Sequence, residues 1–259
     1  MTDTRLDVFI PAHAKDFPVL PRCIRALRRF LQPAVGTITV VCQESAAELQ
    51  ACIRDDQVIC LPEGSIRNLI PKSAVPPFRW NGLDRTGWYY QQLVKYALRQ
   101  HVDSPRYLVI DADTVLVAPT RFNTDNRYTF YRSTQFHEPY FRTFEKLLGE
   151  RPERLPSFIA DYMVFDVALL EEMLGKIAGR HPGKSWDEAI LNAIEPGEQS
   201  SFSEFETYGY YLSRAHPDRF VSVPVRYTTK PRKRLKLAWW DAQVARLKGV
   251  NSISYHHYL

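Results

Sequence analysis

Residues Tyr107–Val117 read YLVIDADTVLV. Tyr107, Leu108, Val109 and Ile110 form an apolar run of the kind that makes a buried strand. Asp111 and Asp113 stand at its end, so an extended chain points both carboxylates the same way. Carboxylates beside a buried strand are costly unless something pairs with them. Either a metal or phosphate faces them, or they bond the backbone of the following turn. A lone D-x-D does not choose between these, so the rest of the chain must.

Upstream, Asp7–Ala12 (DVFIPA), Thr37–Gln43 (TITVVCQ) and Gln57–Leu61 (QVICL) are predicted strands. Helical spacing over Pro21–Leu31 and a short helix over Ser45–Arg54 separate them. This alternation predicts an α/β fold, a mostly parallel sheet flanked by helices. Residues 62–86, rich in Pro, Gly and Arg, read as a loop, and Gly87–Gln100 as a helix leading into the opening strand. Further strands are predicted at Tyr128–Tyr131, Phe158–Phe165 and Phe220–Val225. Helices are predicted at Tyr140–Leu148, Val167–Ile177, Ser185–Ile194 and Ser203–Arg214. No repeat, low-complexity tract or linker interrupts the pattern, so a single domain over 1–259 is expected.

The 259 residues are 45% hydrophobic and 24% charged, an ordinary globular balance that excludes disorder throughout. The start, MTDTRLDVFIPAH, shows no secretory h-region, and no run approaches the roughly 18 apolar residues of a membrane span. A cytoplasmic protein is expected. Cys23, Cys42, Cys52 and Cys60 lack C-x-x-C spacing and read as free thiols. The net charge of +5 is uneven: from Arg226 onward eight cations face Asp241 alone, which leaves the first 225 residues at −2.

In an open α/β sheet, ligands bind beyond the carboxyl ends of strands, where Asp111 and Asp113 fall. Two hard oxygen donors suit Mg2+ or Mn2+, which would neutralise a departing diphosphate. The same run also resembles the first motif of the haloacid-dehalogenase phosphatases, which would make Asp111 a nucleophile and Asp113 a general acid. That fold opens its chain with this strand, whereas here three predicted strands precede it. Its later acidic ligands would have to come from Asp161 and Asp166, which lack the usual leading glycine.

From DVFIPAHAKDF through GWYYQQLVKYA, YLVIDADTVLV and SFIADYMVFD to SFSEFETYGYYL and SYHHYL, the chain resembles the GT-A-fold, nucleotide-sugar-dependent glycosyltransferases. It is most similar to the bacterial ones that build surface polysaccharides. The resemblance implies a Rossmann-like sheet, with 1–117 a nucleotide-binding half and 118–259 an acceptor half. It places Pro11, Ala12, His13 and Lys15 in the nucleotide pocket, and Asp111 near the ribose or a metal-bound water. Asp113 would ligate Mn2+ or Mg2+ directly, with Asp111 beside it and His256 completing the shell, His257 in reserve. Gln91, Gln92 and Lys95, on a polar face of their helix, would meet the donor sugar and phosphate. The donor would be a UDP-sugar, the group transferred a hexosyl or pentosyl unit, and the acceptor a glycan or glycolipid.

Inverting transfer needs a carboxylate to take the acceptor proton. Ser203 and Glu206 read as a capping box that occupies Glu206, while Glu204, at the first helical position, is free to face the cleft. Glu204 is therefore the expected base, with Glu206 and Asp161 as alternates. The same carboxylate in a retaining enzyme would orient the sugar instead.

The basic segment 226–250 contains KPRKRLK and then LAWWDAQVARLKG, where Leu237, Trp240, Val244 and Leu247 share a helical face. That pattern suits a peripheral contact with an anionic membrane face, or a solvated turn before a core-packed helix. Without RNA-motif aromatics or a helix-turn-helix signature, nucleic acid is not expected as a partner. A non-catalytic nucleotide-binding or membrane-bound module is the remaining alternative.

Overall fold

The computed structural model describes residues 5–43, 46–125, 127–151 and 157–256. Its longer strands are β1 (Arg5–Pro11), β2 (Ala34–Cys42), β3 (Val58–Pro62), β4 (Arg106–Ile110), β5 (Thr114–Leu116) and β6 (Arg127–Arg132). They continue with β7 (Tyr162–Asp166), β8 (Phe220–Pro224), β9 (Tyr227–Pro231) and β10 (Ser252–His256). The α-helices are α1 (Leu20–Phe30), α2 (Ala46–Ile53), α3 (Thr86–Ala97) and α4 (Glu138–Leu148). After them come α5 (Val167–Arg180), α6 (Trp186–Ala193), α7 (Glu204–Ala215) and α8 (Ala238–Leu247). Ser45, the expected start of α2, lies outside the described residues, as does the MTDT that opens the chain.

The main sheet runs β3-β2-β1-β4-β7. β1 pairs parallel with β2 and β4, and β2 with β3, while β7 is antiparallel to β4. Val8, Phe9 and Ile10 in β1 and Tyr107–Ile110 in β4 are all buried, as in strands covered on both faces. The chain builds outward from β1 to β3, then returns to lay β4 on the other flank of β1. The strand order therefore reverses between β1 and β4, and the loops that follow them part to open a crevice. The stretches holding Pro11–Lys15 and Asp111–Asp113 leave from these two ends.

β10 pairs parallel with β9 and antiparallel with β5, placing Ser254 opposite Thr114. The end of the described chain is thereby brought across the D-x-D turn. One apolar cluster joins the main sheet to α1 through α7. A smaller one, with Val19, Val117, Ala245, Ile253 and Tyr255, lies under α8.

β9, which was not among the expected strands, carries the strand-favouring Tyr227, Thr228 and Thr229, and β10 supplies its hydrogen-bonding partner. The strand expected from Phe158 begins only at Tyr162, where pairing with β4 starts. The last turn of the helix expected over Gly87–Gln100 tightens to a 3-10 turn at Leu98–His101. The described cysteines are free thiols. Among the described residues, no helix is long and apolar enough to cross a membrane.

Candidate active site

The crevice at the β1–β4 switch point is a cleft of about 590 Å3, a size that suits a nucleotide or nucleotide sugar. The loop after β1 contributes Pro11, His13, Lys15 and Asp16, and the turn after β4 contributes Asp111 and Asp113. Gln91, Gln92 and Lys95 enter from α3, Asp161 from the segment before β7, Glu204 from the start of α7 and His256 from the end of β10. Twelve sequence positions spread over most of the chain thus face one space.

Lys95 ties the floor together. Its ammonium is 3% exposed and donates to Asp111 Oδ1 at 2.8 Å and to Glu204 Oε1 at 2.7 Å. It also lies 4.5 Å from the centre of the Phe205 ring. Burial lowers its pKa, but the two carboxylates outweigh burial and hold it above the usual lysine value. Glu204, 2% exposed, is pushed up by burial and pulled down by Lys95. Its backbone carbonyl accepts from Tyr96 Oη at 2.7 Å, which docks the start of α7 on α3.

A second set lies across the D-x-D turn. His256 Nδ1 donates to Asp113 Oδ2 at 3.1 Å, and that carboxylate raises the imidazole pKa against the opposing effect of burial. Ser254 Oγ donates to Asp161 Oδ2 at 2.5 Å and sits 3.1 Å from Thr114 Oγ1. The backbone N–H of Asp111 donates to the Asp161 carbonyl at 2.9 Å, and that of Tyr255 to the Asp113 carbonyl at 2.9 Å. Burial and the nearby Asp111 push the Asp161 carboxyl up to about 6, against the hydrogen bond from Ser254. The Asp111 carboxyl is likewise raised by desolvation, with Lys95 opposing and Asp113 adding to the rise.

Two expected site residues point elsewhere. Ala12 is buried, and its N–H donates to the Val41 carbonyl at 2.8 Å, so it is part of the sheet edge and does not line the cleft. The capping box is half formed: Ser203 Oγ accepts from the Glu206 N–H at 3.3 Å, but the Glu206 carboxylate does not return the bond. Instead Glu206 Oε2 accepts from Phe158 N at 2.5 Å and Ser157 Oγ at 3.2 Å, behind the cleft wall. Its Oε1 is buried with no partner, and burial pushes the carboxyl up to about 7. His257 lies outside the described residues.

The cleft also holds residues that spacing did not reveal. Asp16 accepts from the His13 N–H at 3.2 Å and pairs with Arg232 at 3.1 Å, fixing the loop after β1. Trp88, Tyr140, Phe205 and Tyr227 give the walls flat apolar faces, and Gln135 donates to Tyr227 Oη at 2.6 Å. The Asp three places after His13 was a readable capping signal. The aromatic walls carried none, since their contributing segments meet only in three dimensions.

The donor set fits a divalent cation in part. Asp111, Asp113, Asp161 and Glu204 gather in the cleft beside one buried ammonium, which contacts only Asp111 and Glu204, and burial, with the nearby Asp111 adding to it, raises the Asp161 carboxyl. Asp113 Oδ2 and His256 Nδ1 are 3.1 Å apart. Adjacent ligands of an octahedral ion with bonds of about 2.1 Å lie roughly 3 Å apart. Asp111, however, is turned to Lys95, and among the described residues no three His, Cys, Asp or Glu side chains already converge as a metal-binding group.

No curated protein matches the chain in sequence. The crystal structure of mouse xyloside xylosyltransferase 1 in its apo form superposes with a TM-score of 0.55 at 14% identity, over 98% of each chain. Galactosyltransferase LgtC, solved with donor and acceptor sugar analogs, gives 0.46 at 12% identity, over 96% of this chain and 87% of its own. The bifunctional glycosyltransferase WbbM gives 0.48 at 15%, over 98% of this chain and 46% of its own. The likeness to the mouse enzyme shows a shared fold, the GT-A arrangement of a mostly parallel sheet between helices. A profile of a protein family matches residues 4–252, from the first strand to the strand that brings His256 to the cleft, and the chain therefore belongs to DUF6492, described as a family of unknown function.

Proposed function

We propose that the protein is a glycosyltransferase that moves a sugar from a nucleotide diphosphate, UDP first among the candidates, to a hydroxyl of a glycan or glycolipid. The observation that carries this reading is the meeting of Asp111, Asp113, Lys95 and His256 at the β1–β4 switch point, in a cleft also lined by glutamines and aromatic rings. A shared fold with a xylosyltransferase supports it. Glutamine both donates to and accepts from sugar hydroxyls, and flat rings pack on the apolar face of a pyranose.

The residues divide the work as follows. His13 and Lys15 hold the rim where a nucleotide enters. Gln91 and Gln92 meet the donor sugar. Asp113 and His256, with Asp111 beside them, would hold Mn2+ or Mg2+, which supplies Lewis-acid neutralisation of the diphosphate when bound. Lys95 holds Asp111 and Glu204 in place and opposes the rise that burial imposes on both carboxyls, so Glu204 holds the lysine as much as it faces the sugar. Asp161, hydrogen-bonded to Ser254 and without the lysine that holds Glu204, is the carboxylate better able to receive the acceptor proton. The anomeric configuration of the product, read by proton NMR, decides whether it serves an inverting displacement.

Titration of the protein with UDP in the presence and absence of Mn2+, beside an Asp113→Ala variant, tests this reading. Metal-dependent binding that the variant loses is the expected result. Failure to bind UDP under either condition overturns it. Nothing in the fold comparison supports the phosphatase alternative, which requires a phosphate-labelled Asp111 detectable by mass spectrometry.

A further inference from the structure

We infer that α8 and the turn before it form a docking surface for an anionic lipid surface. Of the eight large apolar side chains exposed among the described residues, five lie within 237–247: Leu237, Trp239, Trp240, Val244 and Leu247. Trp239 and Trp240 are 63% and 62% exposed and Leu247 89%. Leu237, Trp240, Val244 and Leu247 recur at the spacing of a single helical stripe. The helix turns this stripe outward. Its inward face is built from smaller groups: Ala245 and the ion-paired Asp241 are buried, and Ala238 and Ala242 pack on the small cluster beneath.

The polar surroundings identify the occupant. Lys233, Lys236 and Lys248 are exposed on this segment, while Arg246 turns back to the Val117 carbonyl and the Phe30 ring. Asp241, the segment's one acid, is paired with Arg234 at 2.6 Å and offers no free negative charge. A second copy seated face to face would set these cations against one another, whereas an anionic leaflet complements them. Tryptophan settles at the level of lipid headgroups, with neighbouring cations on the phosphates.

The surface is coupled to the cleft by the chain itself. β9, through Tyr227 and Thr229, lines the cleft and runs into the basic turn, and β10 runs from α8 to His256. The inference stands on the surface alone and does not depend on sugar transfer.

The test is flotation of the full chain with vesicles of phosphatidylcholine alone and of an equal mixture of phosphatidylcholine and phosphatidylglycerol. Tryptophan emission is followed in parallel. Binding to the mixed vesicles only, with a blue-shifted emission and weakening by salt, is expected. The double variant Trp239→Ala/Trp240→Ala should lose the blue shift and at least about tenfold in partition. Lys233→Glu/Lys236→Glu should lose at least roughly thirtyfold, since each reversal removes a cation and adds an anion. All four side chains are exposed, so circular dichroism and the melting temperature should not move, and the two variants test the inference independently. Equal partition onto both vesicles, or onto neither, overturns it. So does a dimer in sedimentation velocity that the tryptophan variant abolishes while vesicles bind nothing.

Discussion

Glu206 shows how one carboxyl can be misassigned by a local rule. The Ser203–Glu206 spacing matches a capping box, and the serine does cap α7. The carboxylate is drawn instead to the Phe158 N–H and Ser157, because that backbone donor is buried and has to be satisfied. The pKa of about 7 against an ordinary 4.5 has a consequence for stability. Above pH 4.5 the unfolded chain releases this proton while the folded protein keeps it, so stability falls as pH rises toward 7 and the loss ends beyond it. The slope from this group is at most about 1.4 kcal/mol per pH unit. Glu206→Gln should flatten the curve over that window relative to wild type, as measured by urea unfolding at a series of pH values. A variant with an unchanged slope would show that Glu206 is ionised in the folded protein.

Helices α3 and α7 are strapped across the cleft floor by Lys95. Neither helix announces this in its own sequence. α3 reads as an apolar helix with a polar edge, and α7 as a helix with acids in its first turn, which the helix dipole favours. Bringing them together puts the ammonium between Glu204, which is buried with it, and Asp111, which opens to the cleft. Lys95→Met would leave the buried Glu204 carboxylate without its cation, while Asp111 still meets the solvent of the cleft, and should cost about 3 kcal/mol of unfolding free energy, the low end for a broken buried pair. The double variant Lys95→Met/Glu204→Gln should recover part of that loss, because the stranded charge is gone. Chemical denaturation of the single and double variants checks both statements. A Lys95→Met protein as stable as wild type would mean that the pair contributes nothing net.

The basic turn, the loop after β1 and the last strand are joined by one guanidinium. Arg232 donates to Asp16 Oδ1 at 3.1 Å, to the Tyr255 carbonyl at 3.3 Å and to the Lys15 carbonyl. On the transferase reading this links the nucleotide rim to the strand that carries His256 and to the lipid-facing segment. Arg232→Ala should weaken UDP binding roughly tenfold, in proportion to the charged hydrogen bonds it removes. Calorimetric titration reads this directly. An unchanged affinity would show that the rim is held by its own backbone bonds alone.

The β1, β2, β3 and β4 strands, their order along the chain and the D-x-D at the end of β4 were legible in sequence, because each is a local pattern of apolar runs broken by turns. The position of Glu204 at the first turn of its helix was also legible, whereas Lys95 and His256 became candidates through the resemblance of their segments to the GT-A enzymes. Their pairing was not legible. Asp113 meets His256 across 143 positions and Lys95 meets Glu204 across 109, distances over which only strand and helix packing sets the register. Ala12 looked like its neighbours but lies in the β1–β2 ladder, which a one-residue difference in strand end decides. The α8 stripe shows the limit most plainly. Periodicity reveals that one face of a helix is apolar, but the same pattern serves a face turned inward or outward. Only the packing of the helix's own Ala245 and Asp241 down onto Ile253 and Tyr255 sends its tryptophans toward solvent.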